Sequence, residues 1–154
     1  MTARTLFDKR QYMQAIKCYE RAGLDRETKV AEAYYAREQA RAKVKDDTSR
    51  IPAFRAVAAQ FRDCAAISNK RKEKSAYYRI AAECYLAATD IRRAAQAYLD
   101  AGEYTLSAQY FRKANAFDKA VEVVQTHEPF VDPDVAESIL SVAKLYYCRE
   151  KILE

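Results

Sequence analysis

The sequence has few of the residues on which catalytic and nucleotide-binding sites depend. It has no Trp, one His and two Gly among 154 residues. A phosphate-binding loop needs clustered glycines whose bare backbone amides wrap the phosphate, whereas Gly23 and Gly102 stand far apart. The only histidine, His127, precedes Pro129 at a predicted helix end, where a capping or surface role is the simplest interpretation. We therefore expect a chain that is not an enzyme and needs no cofactor.

Long apolar runs and close cysteine pairs are also lacking. No apolar run approaches the roughly 18 to 20 residues that cross a bilayer, and the N-terminus lacks the apolar stretch of a signal peptide. The cysteines are scattered, without the close spacing of a zinc site or redox motif. These absences predict an intracellular protein, cytoplasmic or nuclear, with no membrane contact, no metal and reduced cysteines. The cysteines are Cys18, Cys64, Cys84 and Cys148.

What the chain does have is apolar and charged residues in a balance typical of helices. Half of the residues are apolar, and Ala, Tyr, Arg, Lys and Glu are abundant. The charge is divided unevenly: residues 1–79 carry 19 Lys and Arg against 10 Asp and Glu, and residues 80–154 carry 8 against 12. The first part thus has a net charge of +9 and the second of −4. Such an asymmetry steers an acidic partner to the basic part, or it reflects two solvated surfaces.

A pattern of large and small apolar residues repeats along the chain. Each copy has a large anchor residue, small residues three and four positions before it, a further large residue seven positions before it and a small residue three positions after it. These offsets lie on one face of a 3.6-residue helix, so each copy predicts an amphipathic helix of about three turns. The anchors are Tyr19, Phe61, Tyr85, Tyr98, Phe111, Val124 and, in the weakest copy, which ends on Arg149, Tyr146.

Turn signals follow the copies at regular positions. From Tyr85 to Val124 the anchors are 13 residues apart, a spacing that suits a helix of about ten residues and a turn of about three between antiparallel neighbours. A left-handed C-cap, which Gly and Asn favour, is predicted one residue beyond the last small position. Asp90 and Asp132 are predicted N-caps, the latter followed by proline. The predicted C-caps are Gly23, Thr89, Gly102 and Asn115.

The pattern predicts an all-α fold of antiparallel helix-turn-helix repeats, stacked as an α-solenoid of about seven to eight helices. One domain is expected for residues 1–154, because a chain of this length supports one ordinary core. The predicted helices lie near residues 8–22, 26–45, 50–66, 71–88, 91–101, 104–114, 117–126 and 134–150.

The repeated string of aromatic, two residues, Ala, three residues, aromatic, two residues and Ala resembles the second helix of the tetratricopeptide repeat. AGEYTLSAQYFRKA is similar to its helix-turn-helix phrasing. The sequence departs from that family in lacking Trp and in spacing helix pairs by about 26 residues rather than 34. The resemblance implies a non-catalytic scaffold for protein–protein interaction, with a surface that holds an extended peptide or a helix.

A second resemblance concerns the N-terminal part. RQYMQAIKCYERAG followed by AYYAREQARA resembles the helical-repeat segments of very large fungal proteins that also carry a UvrD-like helicase and are related to tetratricopeptide and ankyrin repeat-containing proteins. This resemblance implies that a longer protein would bind ATP elsewhere, with this chain as an accessory region. The copy at Tyr19 has no predicted helix ahead of it, so we expect a fragment of a longer array, whose ends would need polar caps.

Basic residues and one tyrosine form the candidate binding surface. Arg37, Arg41 and Lys45 follow one another at four-residue steps and are predicted to line one side of the second helix. Tyr34 stands off the repeated pattern, as do several other tyrosines that are candidates to line a groove. A second basic group, Lys70, Arg71, Lys72 and Lys74, crowds the start of another helix. The other off-pattern tyrosines are Tyr35, Tyr77, Tyr110 and Tyr147.

Three functions remain open from the sequence. The leading one is docking of a protein or peptide of acidic character on these residues. The alternative is a nucleic-acid-binding accessory module, in which the basic N-terminal part holds phosphates without sequence preference. A structural spacer with solvated basic faces is the third.

Overall fold

A computed structural model describes the backbone of residues 2–153 and the side chains of residues 2–146 and 148. This part of the chain forms nine α-helices and one 3-10 turn, and it contains no strand. The predicted all-α fold of stacked helices is confirmed. The helices are α1 (Ala3–Asp8), α2 (Tyr12–Arg21), α3 (Asp25–Ala42), α4 (Arg50–Ile67), α5 (Arg71–Ala87), α6 (Ile91–Asp100), α7 (Tyr104–Lys113), α8 (Phe117–Thr126) and α9 (Pro133–Leu153), with the 3-10 turn at Glu128–Phe130.

The helices are grouped in two compact units, Met1–Thr89 and Asp90–Glu154. In unit 1, each helix from α1 to α4 packs against the helix that follows it, and in unit 2 each helix from α6 to α8 does the same. Because short turns join most of these neighbours, consecutive helices run antiparallel. That the whole chain forms one domain stays a prediction.

The predicted C-caps are confirmed at all four positions. Each of these residues has a positive φ, between 59° and 82°, as a left-handed cap requires. Asp90 caps α6 as predicted, since its carboxylate accepts a hydrogen bond of 3.3 Å from the backbone N–H of Arg93. Asp132 does the same for the backbone N–H of Asp134, at 2.9 Å, where α9 begins. These caps end and start the helices where the sequence predicted.

Small residues let the helices of unit 2 approach closely. Ala95, Ala108 and Phe111 belong to one buried cluster that α6 to α9 share. The one buried polar side chain in this seam, Ser107, donates a hydrogen bond of 2.9 Å to the backbone oxygen of Ala95. Its hydroxyl is therefore satisfied, and burying it costs little. Alternating rings and alanines thus produce the helix-on-helix packing that the pattern predicted.

The anchors of the repeated pattern are buried, with one exception. Tyr85, Tyr98 and Phe111 are 4%, 6% and 1% exposed. Tyr146 is 43% exposed, so the prediction that the weakest copy buries its anchor is wrong. The side chains of Tyr147 and Arg149 lie outside the described part of the chain.

Two predicted boundaries are wrong. The predicted helix over residues 8–22 is two helices, α1 and α2, separated by a turn in which Arg10 has a φ of 61°. α1 is only six residues long, too short to display a helical period, and it begins where the Thr2 hydroxyl accepts from the backbone N–H of Thr5. The other error concerns α3, which ends at Ala42 rather than near residue 45.

Within residues 2–153, no helix combines the length and the apolar character that crossing a bilayer would require.

Candidate binding surface

Five aromatic rings in contact cross unit 1, one from each of its helices. Phe7, Tyr12 and Phe61 each contact the central ring, Tyr34, at centroid distances of 5.2, 5.9 and 5.1 Å. Tyr77 extends this aromatic chain, with its ring 6.4 Å from that of Phe61. Edge-on and offset contacts of this kind stabilise beyond the burial of apolar area. The aromatic chain therefore fixes the relative positions of α1 to α5.

A pocket of about 140 Å³ lies beside the aromatic chain, where side chains from α1, α3 and α5 meet. These three helices are not consecutive, so their convergence on one pocket makes this side of unit 1 concave. We call this side the inner face. The pocket is lined by Arg4 and Phe7 of α1, Tyr19 of α2, Arg26, Glu27 and Val30 of α3, and Glu73 and Tyr77 of α5.

The inner face continues along α3 beyond the pocket. Val30, Tyr34, Arg37 and Arg41 follow one another at steps of three or four residues and thus form one stripe of the helix. The Arg37 guanidinium carbon lies 5.0 Å from the ring centroid of Tyr34 and 5.8 Å from that of Phe61. Both distances allow a cation–π attraction.

Arg37 is only partly satisfied in this position. Its Nε atom is buried and has no hydrogen-bond partner. Arg41, one turn further on, is exposed. Among the described residues, no carboxylate lies within ion-pair distance of either guanidinium. Both arginines influence the pKa of the Cys84 thiol on α5, so this end of the inner face carries positive charge that is not neutralised.

The second predicted basic group lies at the other end of the inner face. α3 and α5 both run antiparallel to α4, so the start of α5 lies beside the start of α3. Lys74 and Cys84 are ten residues apart on α5, which corresponds to about 15 Å along the helix. Lys70 is partly neutralised, since its Nζ lies 3.9 Å from a Glu73 carboxylate oxygen. The structure therefore divides the predicted basic residues into two groups rather than one patch.

The remaining predicted site residues have different surroundings. Lys45 lies in the loop after α3 and not on its face, because the helix ends at Ala42 and Lys43 has an extended backbone. The placement of Lys45 in line with Arg37 and Arg41 is therefore wrong. Arg71 and Lys72 are exposed at the first turn of α5. Tyr34 is half-buried in the aromatic chain and has little surface free for a partner.

Burial keeps the tyrosines and thiols of unit 1 protonated. It raises the pKa of Tyr77 to about 12, and the Glu73 carboxylate adds to that effect. The Tyr34 pKa is also raised by burial, while the charge of Arg37 opposes the rise. The pKa values of Cys64 and Cys84 are raised to about 11, chiefly by burial. Since the thiolate is the nucleophilic form, these thiols are unreactive at neutral pH, and the phenols remain hydrogen-bond donors.

Two larger grooves lie outside the inner face. The one between α7 and α9 has a volume of about 570 Å³. Its cations already have partners: Arg112 donates to the hydroxyl of Ser138 at 2.8 Å, and Lys113 lies 5.1 Å from the ring centroid of Tyr110. The groove between α3 and α4, of about 550 Å³, sets Lys29 against two carboxylates, those of Glu32 and Asp63. The unpaired charge of Arg37 and Arg41 makes the inner face the stronger candidate.

Comparisons of the chain with protein-family models, with curated proteins and with solved structures find no match. The described residues also contain no group of three or more His, Cys, Asp or Glu side chains that could hold a metal ion. Interpretation of the inner face therefore depends on its shape and charge.

Sequence reasoning found only part of this surface. Arg4 and Phe7 were missed because α1 was not predicted as a separate helix. Arg26 and Val30 had no signal of their own, since an exposed Arg and a half-buried Val are ordinary on any helix. The off-pattern position of Tyr77 was the one signal for the pocket.

Proposed function

We propose that the chain is a protein-interaction scaffold whose inner face binds an extended segment of another protein. The observation that carries the proposal is the convergence of α1, α3 and α5 on one concave pocket, next to the unpaired cations Arg37 and Arg41. Stacked helix pairs present such surfaces to peptides.

The size of the pocket favours a side chain over a small molecule. Sites for drug-sized ligands occupy roughly 300 to 1,000 Å³, whereas this pocket has about 140 Å³. Phe7, Val30 and Tyr77 offer apolar surface there, and Arg4 and Arg26 border it. A single apolar side chain of a partner peptide fits this mixture, with its neighbours extending along the stripe of α3.

Charge favours an acidic partner. Unit 1 carries 19 Lys and Arg against 11 Asp and Glu, a net charge of +8. A carboxylate beside Arg37 and Arg41 would neutralise two cations that have no partner, and a charge-assisted hydrogen bond to Arg is among the stronger polar contacts. The resemblance to helical segments of helicase-type proteins extends the proposal, with the scaffold as an accessory arm of such a protein.

Nucleic-acid binding is the second candidate, because Lys70, Arg71, Lys72 and Lys74 are exposed together at the start of α5. Phosphate binding would weaken with a slope of about −0.7 to −0.9 per phosphate contact in a plot of log affinity against log salt. A peptide anchored by one apolar side chain and one or two charges would weaken much less. Titration of a single-stranded oligonucleotide at two salt concentrations therefore separates the two functions.

The proposed function is tested by selecting ligands from a random peptide display library. We expect selected peptides to be acidic with one bulky apolar residue, and to lose at least about tenfold in affinity with Val30→Asp and with Arg41→Glu. Lys17→Glu on α2, exposed and outside the inner face, is the matched control for the charge change. Peptides that bind the Val30→Asp and Arg41→Glu variants as tightly as the unchanged chain would contradict the proposal.

A further inference from the structure

The two units carry opposite net charges. Unit 1 has a net charge of +8, and unit 2, with 8 Lys and Arg against 11 Asp and Glu, has −3. Opposite charges on two parts of one chain attract the matching parts of a second copy at low salt.

Each unit also displays one strongly exposed apolar side chain beside residues of its own charge. In unit 1 it is Val44, 73% exposed and placed between Lys43 and Lys45. In unit 2 it is Phe130, 72% exposed, on a segment with carboxylates on both sides. We call these the Val44 patch (Lys43, Val44, Lys45 and Arg50) and the Phe130 patch (Glu128, Phe130, Asp132 and Asp134).

The loop that carries Val44 is held in place. The Arg50 guanidinium donates a hydrogen bond of 2.8 Å to the backbone oxygen of Lys43, and Lys43 Nζ donates to Ser49 Oγ at 3.0 Å. The carboxylate of Asp47 accepts from the backbone and the hydroxyl of Ser49, and these bonds lower the pKa of Asp47. Val44 therefore projects from an ordered loop, which reduces the entropy lost on binding.

The segment that carries Phe130 is held as firmly. The backbone N–H of Asp132 donates to Thr105 Oγ1 at 3.0 Å, and the neighbouring Val131 is buried. The ring of Phe130 lies 6.1 Å from that of Tyr104, which stacks on His127 at 3.9 Å. Residues 128–134 contain three carboxylates and no Lys or Arg. This segment thus offers a fixed aromatic ring in acidic surroundings.

We propose that the Val44 patch of one copy docks on the Phe130 patch of a second copy. The two patches differ, so the contact is head-to-tail and each copy keeps one patch free for another. Two loops bury less surface than the roughly 1,200 Å² of a stable interface, so the association is weak and reversible, with a dissociation constant of about 0.1 to 1 mM. It uses none of the inner face and stands independently of the function proposed above.

The test is a charge exchange between the two patches, measured by sedimentation equilibrium of the 154-residue chain. The average mass is expected to rise above 17.7 kDa as the concentration approaches about 1 mM. Lys45→Glu and Glu128→Lys should each weaken the association by about fivefold or more, since each places like charges opposite one another. An equimolar mixture of the two variants should associate again, because unlike patches then meet.

Controls and contrary outcomes are defined by the same measurement. Lys17→Glu and Glu122→Lys change the same charges at exposed positions outside the patches, and they should leave the association unchanged. Phe130→Ser should weaken it by about tenfold, and salt should weaken it in the unchanged chain. A mass that stays at 17.7 kDa at every concentration, a loss that is equal in the controls, or a mixture that does not recover would each overturn the proposal.

Discussion

Arg37 has conflicting surroundings. Two rings attract its guanidinium, yet its Nε atom is buried without a partner. An unsatisfied buried donor costs about 1 to 3 kcal/mol, comparable to what cation–π contacts return. Such a group is retained where it has a task other than stability, and in the function proposed above that task is to receive a carboxylate.

Replacing Arg37 by Met should therefore leave the free energy of unfolding unchanged or raise it by up to about 1 kcal/mol. Met keeps the apolar packing on Tyr34 and Phe61 and removes the unsatisfied donor. Arg37→Ala also removes the packing and should lower the free energy of unfolding by about 1 to 2 kcal/mol. Urea unfolding of both variants measures these values, and an equal loss in both would contradict the interpretation.

The buried thiols predict a dependence of stability on pH. The pKa of Cys64 and Cys84 is 9.0 in the unfolded chain and about 11 in the folded one. Their contribution to stability is complete below about pH 9 and is lost between pH 9 and 11, because only the unfolded chain then releases the protons. Unfolding followed across this range should show a smaller decline in the Cys64→Ala/Cys84→Ala variant. The exposed Cys148 provides the control, since Cys148→Ala should leave the decline unchanged.

Among the elements, the helix ends depend most on single residues. Gly102 has a φ of 82°, and no heavy atom lies within 4 Å of where its Cβ would be. Gly102→Ala should therefore cost only the backbone strain of a left-handed residue, about 1 kcal/mol. Thr89 has a φ of 59°, so Thr89→Gly should raise the free energy of unfolding by about 1 kcal/mol. Thermal unfolding measures both changes, and a loss of stability in Thr89→Gly would contradict this account.

Long helices with several copies of the pattern could be predicted within about two residues, since a buried stripe and its cap residues locate both ends. α1 could not, because six residues contain less than two turns. The end of α3 was placed three residues late, since Lys43, Val44 and Lys45 are acceptable helix formers. In the structure the chain leaves the helix at Lys43, and the bond from Arg50 to its carbonyl stabilises that departure.

For the whole molecule, the sequence predicts one domain, and two substitutions test it. Phe61 and Phe111 are buried in unit 1 and unit 2, and truncating either to Ala should cost about 3 to 5 kcal/mol. In a single cooperative domain, both substitutions lower the midpoint of one common urea transition. Two transitions, with each substitution moving only one of them, would mean two domains.

The basic character of the binding surface could be predicted from the sequence, whereas its shape could not. Periodicity places Arg37 and Arg41 on one stripe of α3, because both lie in the same helix. The meeting of Arg4 with Tyr77 in one pocket depends on the angles between five helices, which no local pattern specifies. The separation of Lys74 from Arg41 has the same origin, since it follows from α3 and α5 both running antiparallel to α4.

The left-handed turns at Thr89, Gly102 and Asn115 follow one another at intervals of 13 residues, and this regularity limits how such an array can lengthen during evolution. Duplication of 26 residues adds one hairpin and leaves every later helix on its original side of the stack. Duplication of 13 residues would exchange the two sides for all later helices, so that surfaces evolved for solvent would be turned inward. Growth by whole hairpins is therefore the change that this architecture tolerates.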